Sequence, residues 1–301
     1  MKDFADRKNS SMKAKRIVSN TIIYVILVVV SIIWVFPFIY LLLQSFRGES
    51  THVVDYLIPK QWTFKNYLDL FDFSGTYPFM RWYLTTLCIS LISCVFQTIL
   101  VLMTSYCLSR MRFKGRKSIM KLILIIGMFP GFLTMIAIYY VVKQLGLIGN
   151  DAPIFGGPLA LILIYVAGSA TQYYIVKGFF DTIPKSLDEA AMIDGANRNT
   201  IFWKIILPLS KPIIIYTILI TFVAPWGDFM MSSYLLGNRS ETWTVAVGLQ
   251  NWLTGNNGQN ISLYFTRFCS GAVFTSIPIV ILFFFLQRYY VEGITGGSVK
   301  G

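Results

Sequence analysis

Ser186 and Glu189 stand three residues apart in a polar stretch that runs on through Asp188, Asp194, Asn197, Arg198 and Asn199 to Pro208. That spacing suits a capping box, in which the Ser186 hydroxyl accepts from an orphan amide and the Glu189 carboxylate reaches back to the Ser186 amide. Gly195 suits the left-handed position that closes a helix, where a side chain costs about 1 kcal/mol. Asn197 or Asn199 then caps a second helix that runs to Pro208. Leu187, Ala190, Ala191 and either Met192 or Ile193 give the first helix a small apolar face, and the alanines permit close approach of another surface. Groups arranged in this way dock another surface or lie as an amphipathic linker on lipid headgroups; they do not cleave bonds.

Bond chemistry finds no support elsewhere in the chain. Cys88, Cys94, Cys107 and Cys269 are scattered, none at a Cys-x-x-Cys spacing, and His52 is the single histidine, so no metal site is expected. There is no Gly-x-x-x-x-Gly-Lys-Ser/Thr loop, no Gly-x-Ser-x-Gly elbow and no His-Glu-x-x-His. The chain is read as no enzyme, with no cofactor of its own.

The elements that must position the polar stretch are membrane helices. Of 301 residues, 55% are hydrophobic and 13% charged, where soluble domains carry about a quarter charged residues. Six apolar segments are long enough to cross a bilayer, near 20–44, 84–108, 118–141, 157–180, 211–235 and 271–288. Gly127, Pro130 and Gly131 interrupt the third and Pro278 the sixth, which membrane helices tolerate when neighbours satisfy the freed carbonyls. The expected fold class is an all-α membrane protein with six transmembrane helices and a cytoplasmic helix-glycine-helix loop. The expected divisions are a basic N-terminus at 1–19, a transmembrane domain at 20–290 and a glycine-rich tail at 291–301. Within the domain lie the polar loop, about 181–211, and an outer loop, about 236–270.

The net charge of +12 sits between spans and forms no nucleic-acid stripe. Counting by side, about 18 lysines and arginines flank one set of helix ends and about seven the other. The richer side holds both termini, the 109–117 loop and the 177–211 loop, and is therefore read as cytoplasmic; the loops at 45–83, 142–156 and 236–270 are read as external. The first span is longer than a signal-peptide core and lacks a small-residue cleavage site, so it is expected to stay in the membrane. Gln97, Thr98, Thr171 and Gln172 are candidate interhelical or pathway-lining groups, because an unpaired amide in hydrocarbon is costly. Asp228, near the end of the fifth span, is open to three roles: a sugar contact, a helix-to-helix hydrogen bond or a water-exposed carboxylate. The low cost of an acid at a helix end favours the structural role.

Glu189-Ala190-Ala191, Asp194-Gly195-Ala196 and Ile206-Leu207-Pro208 together resemble the EAA signature of permease subunits of bacterial ABC importers. The resemblance implies a type I importer permease fold, with Ser186, Glu189, Ala190, Ala191, Asp194, Gly195, Ala196 and Pro208 in a coupling loop that docks in a cleft of a separate ATPase. Pro59 to Tyr67, Phe113 to Lys117 and the tail Ile294 to Gly301 are similar to the second permease subunit of maltose-type transporters. By that resemblance, Gly296, Gly297, Lys300 and Gly301 reach into the ATPase dimer. Trp252, Thr254, Gly255, Asn256, Asn257 and Gly258 form a scoop loop that enters the opened binding protein; amides and Trp suit sugar hydroxyls and ring faces.

Trp226-Gly227-Asp228-Phe229 departs from many relatives, which carry Asn before the Asp. In maltose-type transporters the intramembrane sugar contacts come mostly from the other permease, which puts Gln97, Gln172 and Asp228 in doubt as transport-site residues. The implied partners are a second permease, an ATPase dimer holding ATP and Mg, a solute-binding protein and an oligosaccharide, in the bacterial cell membrane. The rival reading is an ion-coupled secondary sugar carrier, which needs ionisable groups at mid-membrane. The spans hold almost none at their centres.

Overall fold

The computed structural model describes residues 2–49, 56–72, 78–149, 151–254 and 261–295. The first helix, α1 (Lys2–Ser45), carries Pro37 without interruption, and its apolar residues from Ile17 to Phe38 are exposed, as a lipid-facing helix requires. Past Arg47, which forms an isolated bridge with Trp62, a short α2 (Lys65–Leu68) presents the buried Asn66 amide. That amide donates to the carbonyls of Ser45, at 3.0 Å, and Arg47, at 2.8 Å, and so closes the end of α1.

The organising element is α3 (Phe79–Arg110), 32 residues long and hence about 48 Å at 1.5 Å per residue. It starts after Pro78 and stops where Met111 turns extended. One side of it is a ladder of buried small polar groups, including Thr86, Ser90, Ser93, Gln97, Thr98, Ser105 and Ser109. Their hydrogen bonds knit neighbouring helices to it: Ser90 donates to the Phe222 carbonyl, Trp226 Nε1 donates to Ser90 Oγ at 3.0 Å, and Ser105 donates to the Tyr173 carbonyl at 3.1 Å.

The third expected span breaks at the interruption the sequence marks, into α4 (Arg116–Gly127) and α5 (Gly131–Gln144), with a sharper turn than expected, 100°. Pro130 has no amide to continue the ladder and disfavours helix at the residue before it, and Gly127 and Gly131 contribute no side chains to hold the turn straight. In the fourth span, α6 (Gly156–Ala167) and α7 (Ala170–Thr182) are separated by Gly168 and Ser169 yet pass as one stretch of 27 residues.

The polar loop follows as α8 (Ser186–Ile193), α9 (Arg198–Ile201), a π turn over Phe202–Ile206 and α10 (Leu207–Leu209). The axis then turns 83° at Ser210 into α11 (Lys211–Gly227). The fifth span ends at Gly227, short of the expected 235, because Asp228 turns extended before α12 (Met230–Leu236). The stretch expected as an outer loop, 236–270, contains a helix, α13 (Val245–Thr254), which buries Val245, Val247, Gly248, Leu249 and Trp252. The last helix, α14 (Ile261–Thr295), starts ten residues earlier than expected and passes Pro278 unbroken.

Among the described residues, four helical stretches are long and apolar enough to span a membrane, and up to six if each bent pair counts as one. Two apolar cores share α3. One gathers around Trp82, Trp226, Trp243 and Trp252. The other gathers around Val101, Leu102, Tyr106, Phe180, Ala191, Ile201, Phe202 and Ile206, under the polar loop.

Candidate functional site

The polar loop forms as two helices bent at a glycine, but its first helix starts differently from expectation. Lys185 already has helical dihedrals and occupies the cap position, with no side-chain cap bond. The amides of Leu187 and Glu189 go instead to the carbonyls of Pro184, at 3.4 Å, and Lys185, at 3.1 Å. The capping box of Ser186 and Glu189 is therefore absent, because Ser186 sits inside the first turn. Asp188 and Glu189 still place negative charge at the positive end of the helix dipole.

The other end forms as the sequence implies. Gly195 is left-handed, with φ +83°. The Gly195 amide donates to the Met192 carbonyl at 3.1 Å and the Ala196 amide to the Ala191 carbonyl at 2.9 Å, the paired bonds of a Schellman motif. Asn197, not Asn199, caps the second helix: its Oδ1 accepts from the Thr200 amide at 2.8 Å. The π turn beyond it buries Phe202 and Ile206.

Burial sorts the α8 residues into two sets. Ala191 turns into the core with Ile201 and Phe180. Leu187, Met192 and Ile193 stay outside, Ile193 at 87% exposure, and Glu189, Ala190, Asp194 and Gly195 lie exposed on the same loop, as does Pro208 in α10. The apolar face expected for the helix is thus divided, one alanine holding it to its own protein and the larger side chains left uncovered.

What holds the loop was not anticipated from the sequence. The Arg110 guanidinium, at the end of α3, donates through Nη2 to the carbonyls of Phe180, at 2.7 Å, and Ile183, at 2.8 Å. Its Nη1 lies 3.3 Å from Asp188 Oδ2, with side chains 2% and 10% exposed. Removing one partner of so buried a pair costs about 3–5 kcal/mol. The residue before Arg110, Ser109, donates to Asp181 Oδ1 at 2.6 Å, and one turn back Tyr106 donates to the Arg198 carbonyl at 3.1 Å. A cation in the last turn of a long apolar helix and an acid in the first turn of a polar one are visible in the sequence; their pairing is not.

The remaining candidates lie elsewhere. Gln97 is buried and donates to Ser169 Oγ at 3.0 Å, across the break between α6 and α7. Gln172 has a buried Oε1 with no hydrogen bond. Asp228 makes the helix-to-helix bond: Tyr165 donates to its Oδ2 at 2.6 Å, while its Oδ1 takes the Met231 amide at 3.0 Å and caps α12. Trp252 is 3% exposed and its ring is stacked on Phe79 and Tyr264, so it anchors the base of its loop instead of presenting a ring at the tip. The Thr254 hydroxyl donates to the Gln250 carbonyl at 3.0 Å. Gly255, Asn256, Asn257 and Gly258, and the tail residues Gly296, Gly297, Lys300 and Gly301, lie outside the described residues. Among the described residues no cluster of three metal-ligating side chains exists, and all four cysteines are free.

Residues 101–296, which include the polar loop and most of both cores, match the family model described as binding-protein-dependent transport system inner membrane component. The chain is 36% identical over 293 residues to the galactooligosaccharides transport system permease protein GanQ of Bacillus subtilis strain 168, covering 97% of this chain and 99% of that one. It is 35% identical over 296 residues to the maltodextrin transport system permease protein MalD of Streptococcus pneumoniae, covering 97% and 100%. Among solved structures it is similar to a chain of a bacterial ABC transporter involved in the import of the acidic polysaccharide alginate, with a TM-score of 0.74 and 22% identity, covering 91% of this chain and 96% of that one.

Proposed function

Because the chain belongs to the family of binding-protein-dependent transport system inner membrane components, we propose that it forms, with a second permease, the pathway of an oligosaccharide importer whose α8 docks in a separate ATPase. The protein is a multi-pass membrane permease subunit of an ABC importer and not an enzyme; its membership sets aside the ion-coupled secondary carrier. The observation that supports α8 as the docking element is the exposure of Leu187, Met192 and Ile193, three large apolar side chains on one short helix that also exposes Ala190 and Glu189. Several large apolar side chains left exposed on one short helix mark an interaction surface.

In this reading, ATP and Mg bind the partner ATPase. Closure of the ATPase dimer carries the α8 loop as a rigid unit and turns the bundle to face a loaded solute-binding protein; hydrolysis returns it. Residues 252–258 contact the binding protein, with Trp252 as the anchor, and residues 296–301 contact the ATPase. Both termini and the α8 loop lie on the cytoplasmic side, in keeping with the excess of Lys and Arg there. The relatives whose names specify galactooligosaccharides and maltodextrin support a neutral oligosaccharide as cargo. Gln97, Gln172 and Asp228 serve packing between helices more than contact with that cargo.

The test is ATP hydrolysis by the chain co-purified in lipid with its co-expressed neighbours, with and without binding protein loaded from a panel of oligosaccharides. One loaded binding protein is expected to stimulate hydrolysis, and Glu189→Lys or Gly195→Pro is expected to abolish stimulation and uptake while the chain stays inserted. Proline at 195 removes the amide that donates to Met192 and fixes φ near −65°, where the loop needs +83°. Wild-type uptake with either substitution would sink the docking role.

A further inference from the structure

Any movement imposed on α8 has two routes into the bundle, along the chain into α7 or across space into α3. The covalent route is short, three residues from Thr182 to Ser186, but that linker contains the bend at Ile183, which turns extended. The spatial route is a set of buried contacts that reach both helices of the loop from one stretch of α3. Arg110 pairs with Asp188 in α8. Tyr106 donates to the Arg198 carbonyl in α9 and places its ring 4.9 Å from that of Phe202 in the π turn. Between them, Ala191 packs in the core to which Val101 and Leu102 belong.

We propose that Arg110 is the positioning residue that couples the docking helix to α3, so that α3 and not α7 carries the movement through the bundle; this rests on the reading of α8 as the ATPase-docking element. The arrangement suits a transmitter. Arg110 also holds the carbonyls of Phe180 and Ile183, so one side chain gathers the end of α3, the end of α7 and the first turn of α8. At its far end α3 is fixed by Trp82 in the tryptophan core, and a rigid helix about 48 Å long moves its two ends together.

The pair also has capacity in reserve. Arg110 Nε and Nη1 and Asp188 Oδ1 are buried without hydrogen bonds. A guanidinium and a carboxylate can engage through two parallel bonds, so a small rotation of α8 against α3 gives a second, tighter arrangement of the same two groups. Two arrangements of one contact are what a switching element needs.

The experiment is a double-mutant cycle on the intact complex in lipid, comparing wild type, Arg110→Gln, Asp188→Asn and the double variant. The readouts are the amount of ATPase that co-purifies and the ratio of hydrolysis with loaded binding protein to hydrolysis without it. Each single variant is expected to keep the ATPase bound and to lower the stimulation ratio about tenfold, within the range of couplings between sites. The double variant is expected to be no worse than Arg110→Gln, because both substitutions remove the same ion pair and only Arg110→Gln also removes the bonds to Phe180 and Ile183. Multiplying losses, or an unchanged ratio in Asp188→Asn, would overturn the proposal while leaving α8 docking intact. If Arg110→Gln fails to assemble, Asp188→Asn decides alone, since it is isosteric and leaves both carbonyl bonds of Arg110 in place. Failure of the wild-type chain to retain any ATPase would refute the docking reading itself, and is thereby distinguishable.

Discussion

The two ends of α3 are held by different physics. At the Trp82 end ring packing dominates, pinned by Trp82 Nε1 donating to the Ser240 carbonyl at 2.8 Å: the Trp82 ring centroid lies 5.6 Å from that of Trp252 and 5.8 Å from that of Trp243, and Trp252 stacks on Tyr264 at an interplanar angle of 5°. Gly248 presses so closely on Trp82 that an added Cβ would lie 1.9 Å from a ring carbon. At the Arg110 end the apolar residues are mostly aliphatic, and position is set by a buried ion pair and four hydrogen bonds from Tyr106, Ser109 and Arg110. Close-packed rings have one arrangement and resist any other, whereas charged groups that retain unused valences can exchange partners within a small displacement. The molecule thus keeps a rigid end and an adjustable end on one helix.

The comparison breaks if its rigid end proves soft. Trp82→Ala is expected to cost about 3–5 kcal/mol, read as loss of folded protein on unfolding in detergent, and should be the most damaging of the set. Gly248→Ala, which drives a methyl group into the same ring, is expected to cost about 1–3 kcal/mol by the same measurement. At the adjustable end, Asn197→Ala removes the cap of α9 and should cost about 1 kcal/mol, with the larger effect on uptake. A reversed order, with Asn197→Ala less stable than Trp82→Ala, would show that the polar loop and not the tryptophan core holds the bundle together.

Local backbone chemistry made part of this legible in the sequence. Gly195 and Asn197 are where their residue types put them, because a left-handed turn and an N-cap depend on one residue and its neighbours. The capping box failed because it depends on where the helix begins, and Pro184 and Lys185 wind the chain one residue earlier than Ser186. Pro130 marked a break in the third span, but its 100° bend is set by what packs on either side. The amides of residues 250–260 suggested a loop, while the apolar Val245 to Leu249 before them answer to Trp82 and the rest of the tryptophan core. The pairing of Arg110 with Asp188 left no trace in spacing, since nothing local relates them.

That pairing has a consequence for synthesis. Arg110 leaves the ribosome 70 residues before Phe180 and 73 before Ile183, and Asp188 comes later still. At chain-growth rates of about 5–20 residues per second, the guanidinium waits about 4 to 15 s for its partners. During that interval it is a free cation at the end of a newly inserted apolar helix, where it can stay in the headgroup region and help hold the helix across the bilayer. The same side chain therefore serves the growing protein as a temporary anchor and the finished one as a buried clasp.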